Sequence, residues 1–202
     1  MPAPGGARGQ TAGGFGGGPL NIEVRGEGPD LLLVHGFGTS RKVWEPLLPH
    51  LGGFRLWLLD LPGHGESPWS PGALTMEALI EALSSLPLRE AWGMGWSMGG
   101  LILAAFAQRF PGRISRLFMV ASTPRFLQGP DWPWGLDPDV FHGFRRELRE
   151  HPGKVLRRFA ALQVQGAEGG REAFKGLLDA LSWACPGALE EGMALLEDTD
   201  LR

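Results

Sequence analysis

The sequence has a single cysteine, Cys185, among 202 residues. One thiol excludes an intramolecular disulfide and favours a reducing, cytoplasmic compartment, where we expect Cys185 to be a small buried residue. No apolar run approaches the roughly 18–20 residues that a membrane-spanning helix needs, so no membrane partner is expected. The net charge of −3 shows no basic excess, which argues against a nucleic-acid partner.

Residues 1–19, MPAPGGARGQTAGGFGGGP, are rich in glycine and proline and contain no apolar segment of the kind found in secretory signals. We predict a flexible tail, or a start codon assigned too far upstream, and exclude this segment from the fold. Over the whole chain, 43% apolar and 20% charged residues are typical of a globular domain.

Strand and helix patterns alternate after the tail. LLLV has the character of a buried strand, and RLWLLD, AWGMGWS and ISRLFMVAS also have the character of strands, whereas VWEPLLPHL, LTMEALIEALSSLP and LILAAFAQRF have that of helices. The alternation predicts an α/β domain, with a mostly parallel sheet covered on both faces by helices. From Thr123 onward the pattern changes to helices and loops. We therefore interpret residues 20–122 as the core and residues 123–202 as a helical cap.

The stretch GWSMGG, Gly95 to Gly100, contains the pattern G-x-S-x-G around Ser97. This pattern occurs by chance in glycine-rich chains, and this one has 32 glycines. Here, however, a predicted strand precedes the serine and a buried helix follows it, as a nucleophile elbow requires. We predict that Ser97 is a catalytic nucleophile held in a strained turn between the two elements.

HGFG follows the first buried strand and supplies a second part of the predicted site. The backbone N–H groups of Phe37 and Met98 are expected to form an oxyanion hole above Ser97. For His35, in the same loop, we favour a bracing role over a catalytic one. His64, in DLPGHG, precedes the serine and is interpreted as part of a structural turn.

HGFG, DLPGHGES and GWSMGG occur in this order and at about this spacing in α/β hydrolases, and the sequence resembles that family. VASTPRF, DWPWGLDPDVFHGF, RFAALQVQG and DTDLR further resemble the cap of the esterases that act on pimeloyl-acyl-carrier-protein methyl esters in biotin synthesis. The resemblance covers about residues 20–202. It implies an α/β-hydrolase fold, a serine acyl-enzyme, no metal or organic cofactor, and a monomer that meets an acyl carrier protein.

The family pattern places an Asp and then a His after the serine, on successive strand ends. After Ser97 this sequence has two histidines, His142 and His151, and both lie in the predicted cap. We therefore expect the triad Asp and His to lie outside these 202 residues, as in a truncated gene or incomplete record. The chain alone is then expected to have negligible esterase activity and an exposed sheet edge.

The resemblance implies two further sets of residues in the cap. Cations with i, i+4 spacing, expected to face an acidic carrier protein, are Lys154 with Arg158 and Arg171 with Lys175. Their spacing alone equally fits an ordinary solvated surface. The acyl channel is expected to involve Phe37, Ser97, Met98 and the segment Phe159, Ala160, Ala161, Leu162 and Gln163. Apolar spacing in that segment also fits plain core packing.

Three alternatives to the carrier-dependent esterase stay open at this point. A general carboxylesterase for small esters shares the same motifs, and so does a C–C bond hydrolase of the same fold. A non-catalytic remnant that lacks the triad Asp and His is the third.

Overall fold

A computed structural model of the chain describes residues 20–181 and 185–202, so the predicted tail lies outside the described residues. Five strands are present in the described part: β1 (Ile22–Arg25), β2 (Asp30–Val34), β3 (Arg55–Leu59), β4 (Ala91–Trp96) and β5 (Ile114–Val120). Six α-helices accompany them: α1 (Met76–Ser84), α2 (Met98–Arg109), α3 (Pro138–Glu150), α4 (Pro152–Gln163), α5 (Gly170–Ala180) and α6 (Pro186–Asp198).

The strands form one sheet in the order β1-β3-β2-β4-β5. β1 is antiparallel to β3, whereas β3, β2, β4 and β5 run parallel to one another. Val34 at the end of β2 pairs with Leu59 of β3 on one side and Gly95 of β4 on the other. The carboxyl ends of the four parallel strands therefore meet at one edge, where α/β proteins place their sites. The predicted mostly parallel α/β sheet is confirmed.

Apolar side chains fill both sides of the central strands. On one side the even-numbered positions of β2, Leu32 and Val34, pack with α1 and α2. On the other side Leu31 and Leu33 pack with Trp44. This alternation puts consecutive residues of one strand on opposite faces, and it explains why the run LLLV is apolar throughout.

The exception to the predicted two-sided burial is β5. Phe118, Met119 and Val120 are 42%, 37% and 43% exposed in the described structure. β5 pairs with β4 along one edge. Ile114 and Leu117 of β5 still pack against the core, so helices cover β5 less completely than they cover the central strands.

The helix predicted over VWEPLLPHL was also wrong. The segment forms two short 3-10 turns instead, Arg41–Trp44 and Leu48–His50. Pro46 and Pro49 lack the N–H that an α-helix would need, and their rings clash with the carbonyl one turn earlier. Turns with i to i+3 hydrogen bonds avoid both problems, and Leu47 N–H donates to Trp44 O accordingly.

Helices α3 to α6 follow the last strand, so the described strands and these four helices lie on either side of the boundary predicted at residue 122. Pro138, Pro152 and Pro186 each open a helix at its first turn, where a missing N–H costs nothing. Within residues 20–181 and 185–202, no helix is long and apolar enough to cross a membrane. The same residues contain no group of three metal-ligating side chains placed to hold an ion.

Candidate active site

Ser97 lies in a sharp turn between β4 and α2, with φ of 53° and ψ of −119°. A positive φ is strained for a residue with a side chain, so the surrounding backbone must hold it there. A Cβ at Gly95 would lie 2.4 Å from Gly100 N, and one at Gly99 would lie 2.1 Å from Val34 O. Only glycine fits at both positions, as the elbow pattern predicts. The strand, turn and helix expected around the serine are confirmed.

Two backbone N–H groups flank the serine. Met98 is the first residue of α2, where an N–H has no intrahelical acceptor. Phe37 lies in the loop after β2, and a Cβ on the preceding Gly36 would be 3.3 Å from the Ser97 Cβ. Among the described residues, neither the Phe37 nor the Met98 N–H has a hydrogen-bond acceptor. Both N–H groups are therefore free to donate to a further acceptor.

His35 braces the loop that carries Phe37, as predicted. Its Nδ1 lies 2.8 Å from Gly36 O and its Nε2 accepts from Leu61 N–H at 2.9 Å. Nδ1 must carry the proton in this arrangement, because Nε2 already accepts one. Thr39 Oγ1 also donates to Gly36 O, at 2.9 Å. A neutral imidazole therefore ties the loop after β2 to the loop after β3.

His64 belongs to the same buried layer. Its ring centroid lies 5.4 Å from that of His35, and both side chains are fully buried. Nδ1 of His64 lies 3.0 Å from Pro62 O, while Nε2 has no partner among the described residues. The structural-turn interpretation of His64 is confirmed by this placement.

Acidification is expected to destabilise the protein through these two imidazoles. Burial lowers the pKa of both, and the charge of His64 lowers that of His35 further, while Asp60 opposes the shift. Below the ordinary value of 6.5 the unfolded chain takes up protons that the folded chain refuses. The free energy of unfolding therefore decreases as the pH is lowered below 6.5, by up to about 1.4 kcal/mol per pH unit for each imidazole.

Urea unfolding at pH 7, 6 and 5 measures this dependence. His64→Gln should reduce the slope between pH 6.5 and 5, because one proton uptake is removed. His50→Gln, which removes an exposed imidazole, is the matched control. Equal slopes of the free energy of unfolding against pH in the native protein and the His64→Gln variant would contradict a lowered pKa for folded His64.

An apolar cavity of about 190 Å³ opens beside Ser97. Ser97 is the only residue with a polar side chain among those that line it in the described structure. The others are Phe37, Phe126, Leu136, Val140, Phe141, Phe144, Phe159, Met193 and Leu196. Phe144 and Phe159 meet edge to face with centroids 5.7 Å apart. Such a cavity suits an uncharged aliphatic group.

The acyl segment predicted in α4 contributes one residue to this cavity, Phe159. Ala160 is buried at 3% exposure, and Ala161, Leu162 and Gln163 face solvent. Successive helical residues are rotated by about 100°, so five in a row cannot line one wall. The segment prediction was therefore too broad. Phe37 and Ser97 line the cavity, whereas the Met98 side chain packs in the core.

Most of the cavity wall was missed at the sequence level. Val140, Phe141 and Phe144 come from α3, and Met193 and Leu196 come from α6. The i, i+4 pair of α3 and the i, i+3 pair of α6 were visible as apolar helix faces. Spacing alone does not separate a cavity wall from ordinary core, and only the packing of the two helices over Ser97 does.

The four cations predicted to meet a carrier protein are exposed on α4 and α5. Arg158 donates to both carboxylate oxygens of Glu147, at 3.1 and 2.6 Å, so part of its charge is used within the cap. Lys154, Arg171 and Lys175 form no ion pair with any described residue. Three of the four are therefore available to an acidic surface.

A general base for Ser97 was not expected in this chain, and within residues 20–181 and 185–202 its hydroxyl has no hydrogen-bond partner. His142 Nε2 lies 2.8 Å from Glu197 Oε1 on the cap surface. His151 is exposed at the junction of α3 and α4. The described residues thus bring together Ser97, two N–H groups without acceptors and an apolar cavity, and no described imidazole contacts the serine hydroxyl.

Comparison with known proteins agrees with this architecture. Residues 29–193 match the sequence model described as the alpha/beta hydrolase fold, and the chain belongs to this family. The structure of the esterase EaEST from Exiguobacterium antarcticum has the same fold, with a TM-score of 0.81 at 19% identity. That likeness covers 92% of this chain and 72% of the other.

Two curated relatives are both named pimeloyl-[acyl-carrier protein] methyl ester esterase. The protein from Stenotrophomonas maltophilia is 41% identical over 187 residues, which cover 91% of this chain and 71% of that protein. The protein from Sodalis glossinidius is 41% identical over 177 residues, covering 86% of this chain and 68% of that protein. At this identity and coverage the chain shares the ester-hydrolase family of these two enzymes, and the resemblance seen in its motifs is confirmed.

Proposed function

We propose that Ser97 is the nucleophile of a carboxylic ester hydrolase and that the Phe37 and Met98 N–H groups bind the oxyanion. The observation that carries this proposal is the strained serine turn, with two unpartnered N–H donors, at the mouth of an apolar cavity. A turn of this geometry points a hydroxyl outward, while donors in such places contribute about 3 kcal/mol each to acyl transfer.

The reaction proceeds in two steps. Ser97 Oγ attacks the ester carbonyl carbon and loses its proton to a base, and the carbonyl oxygen becomes the bound oxyanion. The alcohol leaves with that proton, and water then attacks the acyl-enzyme to release the acid and restore the serine. None of the described histidines is placed to act as this base, so the proposal requires an imidazole from outside the described residues.

We further propose that the substrate is the methyl ester of a pimeloyl group carried by acyl carrier protein. The names of the two curated relatives support this choice, and so does a cavity whose lining carries no charge. A methylene chain ending in a neutral methyl ester is compatible with that lining, whereas a free carboxylate in it would be desolvated without a partner. The exposed cations of α4 and α5 would face the acidic carrier.

Methanol release from this carrier-bound ester tests the proposal. The DNA is first sequenced past the codon for Arg202, and the protein encoded by the complete reading frame is assayed with carrier-bound and small methyl esters. Methanol from the carrier-bound ester is the expected result. Hydrolysis of small esters alone would support a general carboxylesterase, and a stop codon after Arg202 with no methanol from either ester would support the non-catalytic alternative.

Charge reversal on α5 tests the carrier contact. Arg171→Glu with Lys175→Glu should raise KM for the carrier-bound ester about 10-fold and leave kcat/KM for small esters unchanged, because rim charges act mainly on association. Added salt should raise the KM of the native enzyme for the carrier-bound ester toward the value of this variant, because salt screens surface charges. Arg89→Glu, an exposed reversal before β4 at the opposite edge of the sheet, is the matched control. A KM for the carrier-bound ester that is the same in the native protein and in the Arg171→Glu, Lys175→Glu variant would contradict the proposed contact.

A further inference from the structure

Besides its buried apolar side chains, helix α6 contacts the loop before α1 through the carboxylate of Glu191. Glu191 Oε1 accepts from Gly72 N–H at 2.7 Å, and its Oε2 accepts from Leu74 N–H at 2.9 Å and from Trp69 Nε1 at 3.2 Å. All three donors belong to the loop that precedes α1, residues 69–74. Hydrogen bonds to an ionised carboxylate are the stronger kind, so this contact fixes the loop and the helix to each other.

Trp69 strengthens the same contact by packing. A Cβ at Gly187, near the start of α6, would lie 2.3 Å from an atom of the Trp69 ring. A Cβ at Gly63 would lie 3.0 Å from the Trp69 Cβ and 2.4 Å from Ala188. The indole therefore lies against the first turn of α6 while its N–H reaches Glu191 one turn later. We call residues 69–74 together with Glu191 the clasp.

The residues just after Glu191 lie at the candidate active site. A Cβ at Gly192 would be 2.9 Å from Phe37 Cδ2 and 3.0 Å from Phe37 Cε2, so the Phe37 ring lies directly on this glycine. Met193 and Leu196 form part of the cavity wall. The height of α6 over the sheet thus sets both the place of Phe37 and the shape of the cavity.

We infer that Glu191 is a positioning residue, which holds α6 through the clasp so that Gly192 seats Phe37 with its N–H beside Ser97. This inference rests on the proposed function, because it gives Glu191 a role in placing an oxyanion donor. Glu191 lies away from the reacting atoms and acts through Phe37 and the cavity wall. Displacement of a reacting geometry by about 1 Å costs up to about 100-fold in rate.

Three variants separate the steps of this inference. Glu191→Ala removes all three acceptor contacts, and Glu191→Gln keeps one carbonyl oxygen but turns an N–H₂ toward the donors. Gly192→Ala leaves the clasp intact and pushes on the Phe37 ring. Asp198→Asn, which removes an exposed carboxylate from the same helix, is the matched control.

The experiment uses the protein encoded by the complete reading frame and counts its reactive serines with a fluorophosphonate. For Glu191→Ala we expect kcat per labelled serine to fall about 10- to 100-fold, and amide exchange at Gly72 and Leu74 to accelerate. Glu191→Gln should lose less. Gly192→Ala should lose as much kcat while the Gly72 and Leu74 amides stay protected, and Asp198→Asn should match the native protein.

Serine labelling and kcat per labelled serine test the positioning role of Glu191 separately from the role of Ser97. A merely stabilising role would lower the number of labelled serines and the melting temperature but leave kcat per labelled serine unchanged. That result in both Glu191→Ala and Gly192→Ala would overturn the positioning role while Ser97 stayed labelled. A native protein that is not labelled at Ser97 would overturn the proposed function and the positioning role together.

Discussion

Replacing Ser97 with alanine is expected to lower kcat for methyl ester hydrolysis about a million-fold in the protein encoded by the complete reading frame. No acyl-enzyme forms without the hydroxyl, so the remaining rate, about a thousand-fold over water, would come from binding and the N–H donors of Phe37 and Met98. KM should change little, because the cavity beside the serine keeps its shape. Methanol release under saturating substrate, compared with the native protein, measures the loss.

A matched serine makes this test specific. Ser115→Ala removes a hydroxyl from β5 that donates to Glu90 O at 2.8 Å, at the end of the strand away from Ser97. Its kcat should stay within a few-fold of the native value. Retention of more than a hundredth of the native kcat by Ser97→Ala would contradict the assignment of the nucleophile.

Replacing Gly99 with alanine is expected to destabilise the fold by about 3 kcal/mol or more. The new Cβ would lie 2.1 Å from Val34 O and 2.6 Å from His35 O, and both atoms are backbone atoms at the end of β2. No rotamer change relieves such a contact, so α2 must move away from the sheet. Urea unfolding should show this loss of unfolding free energy. Thermal unfolding should show a melting temperature lower by about 6–12 °C.

The same substitution at a second helical glycine provides the control. Gly143 in α3 has no atom within 4 Å of its added Cβ, so Gly143→Ala should stabilise the protein by about 0.5–1 kcal/mol. Both variants add one methyl group to a helix, and only the surroundings differ. A urea unfolding midpoint for Gly99→Ala equal to that of the native protein would contradict the close packing of α2 on β2.

Local patterns in the sequence predicted the parts of the fold that depend on neighbours along the chain. The unbroken apolar run LLLV indicated a buried strand, and glycines two positions either side of Ser97 indicated the elbow. Both are confirmed by the strand order and by the φ of the serine. The failure at VWEPLLPHL was equally local, because Pro46 and Pro49 remove the donors of an α-helix.

Contacts between segments far apart in the chain could not be predicted from the sequence. Glu191 reads as one acid among several in α6, and nothing near it indicates that three donors from residues 69–74 converge on it. Phe159 and Leu162 have the same apolar character, yet one lines the cavity and the other is 60% exposed. Such differences are decided by how helices cross over the sheet, which spacing along one helix does not specify.

The pairing of Val34 with Gly95 also joins two segments that lie far apart in the chain. Phe37 follows one of these strands and Ser97 the other, so the two parts of the candidate site are brought together only when β2 and β4 pair. Closing the long loop between them costs chain entropy that the strand contacts must compensate. During synthesis on the ribosome, the serine and its N–H donors would therefore come together only after β4 and α2 have emerged.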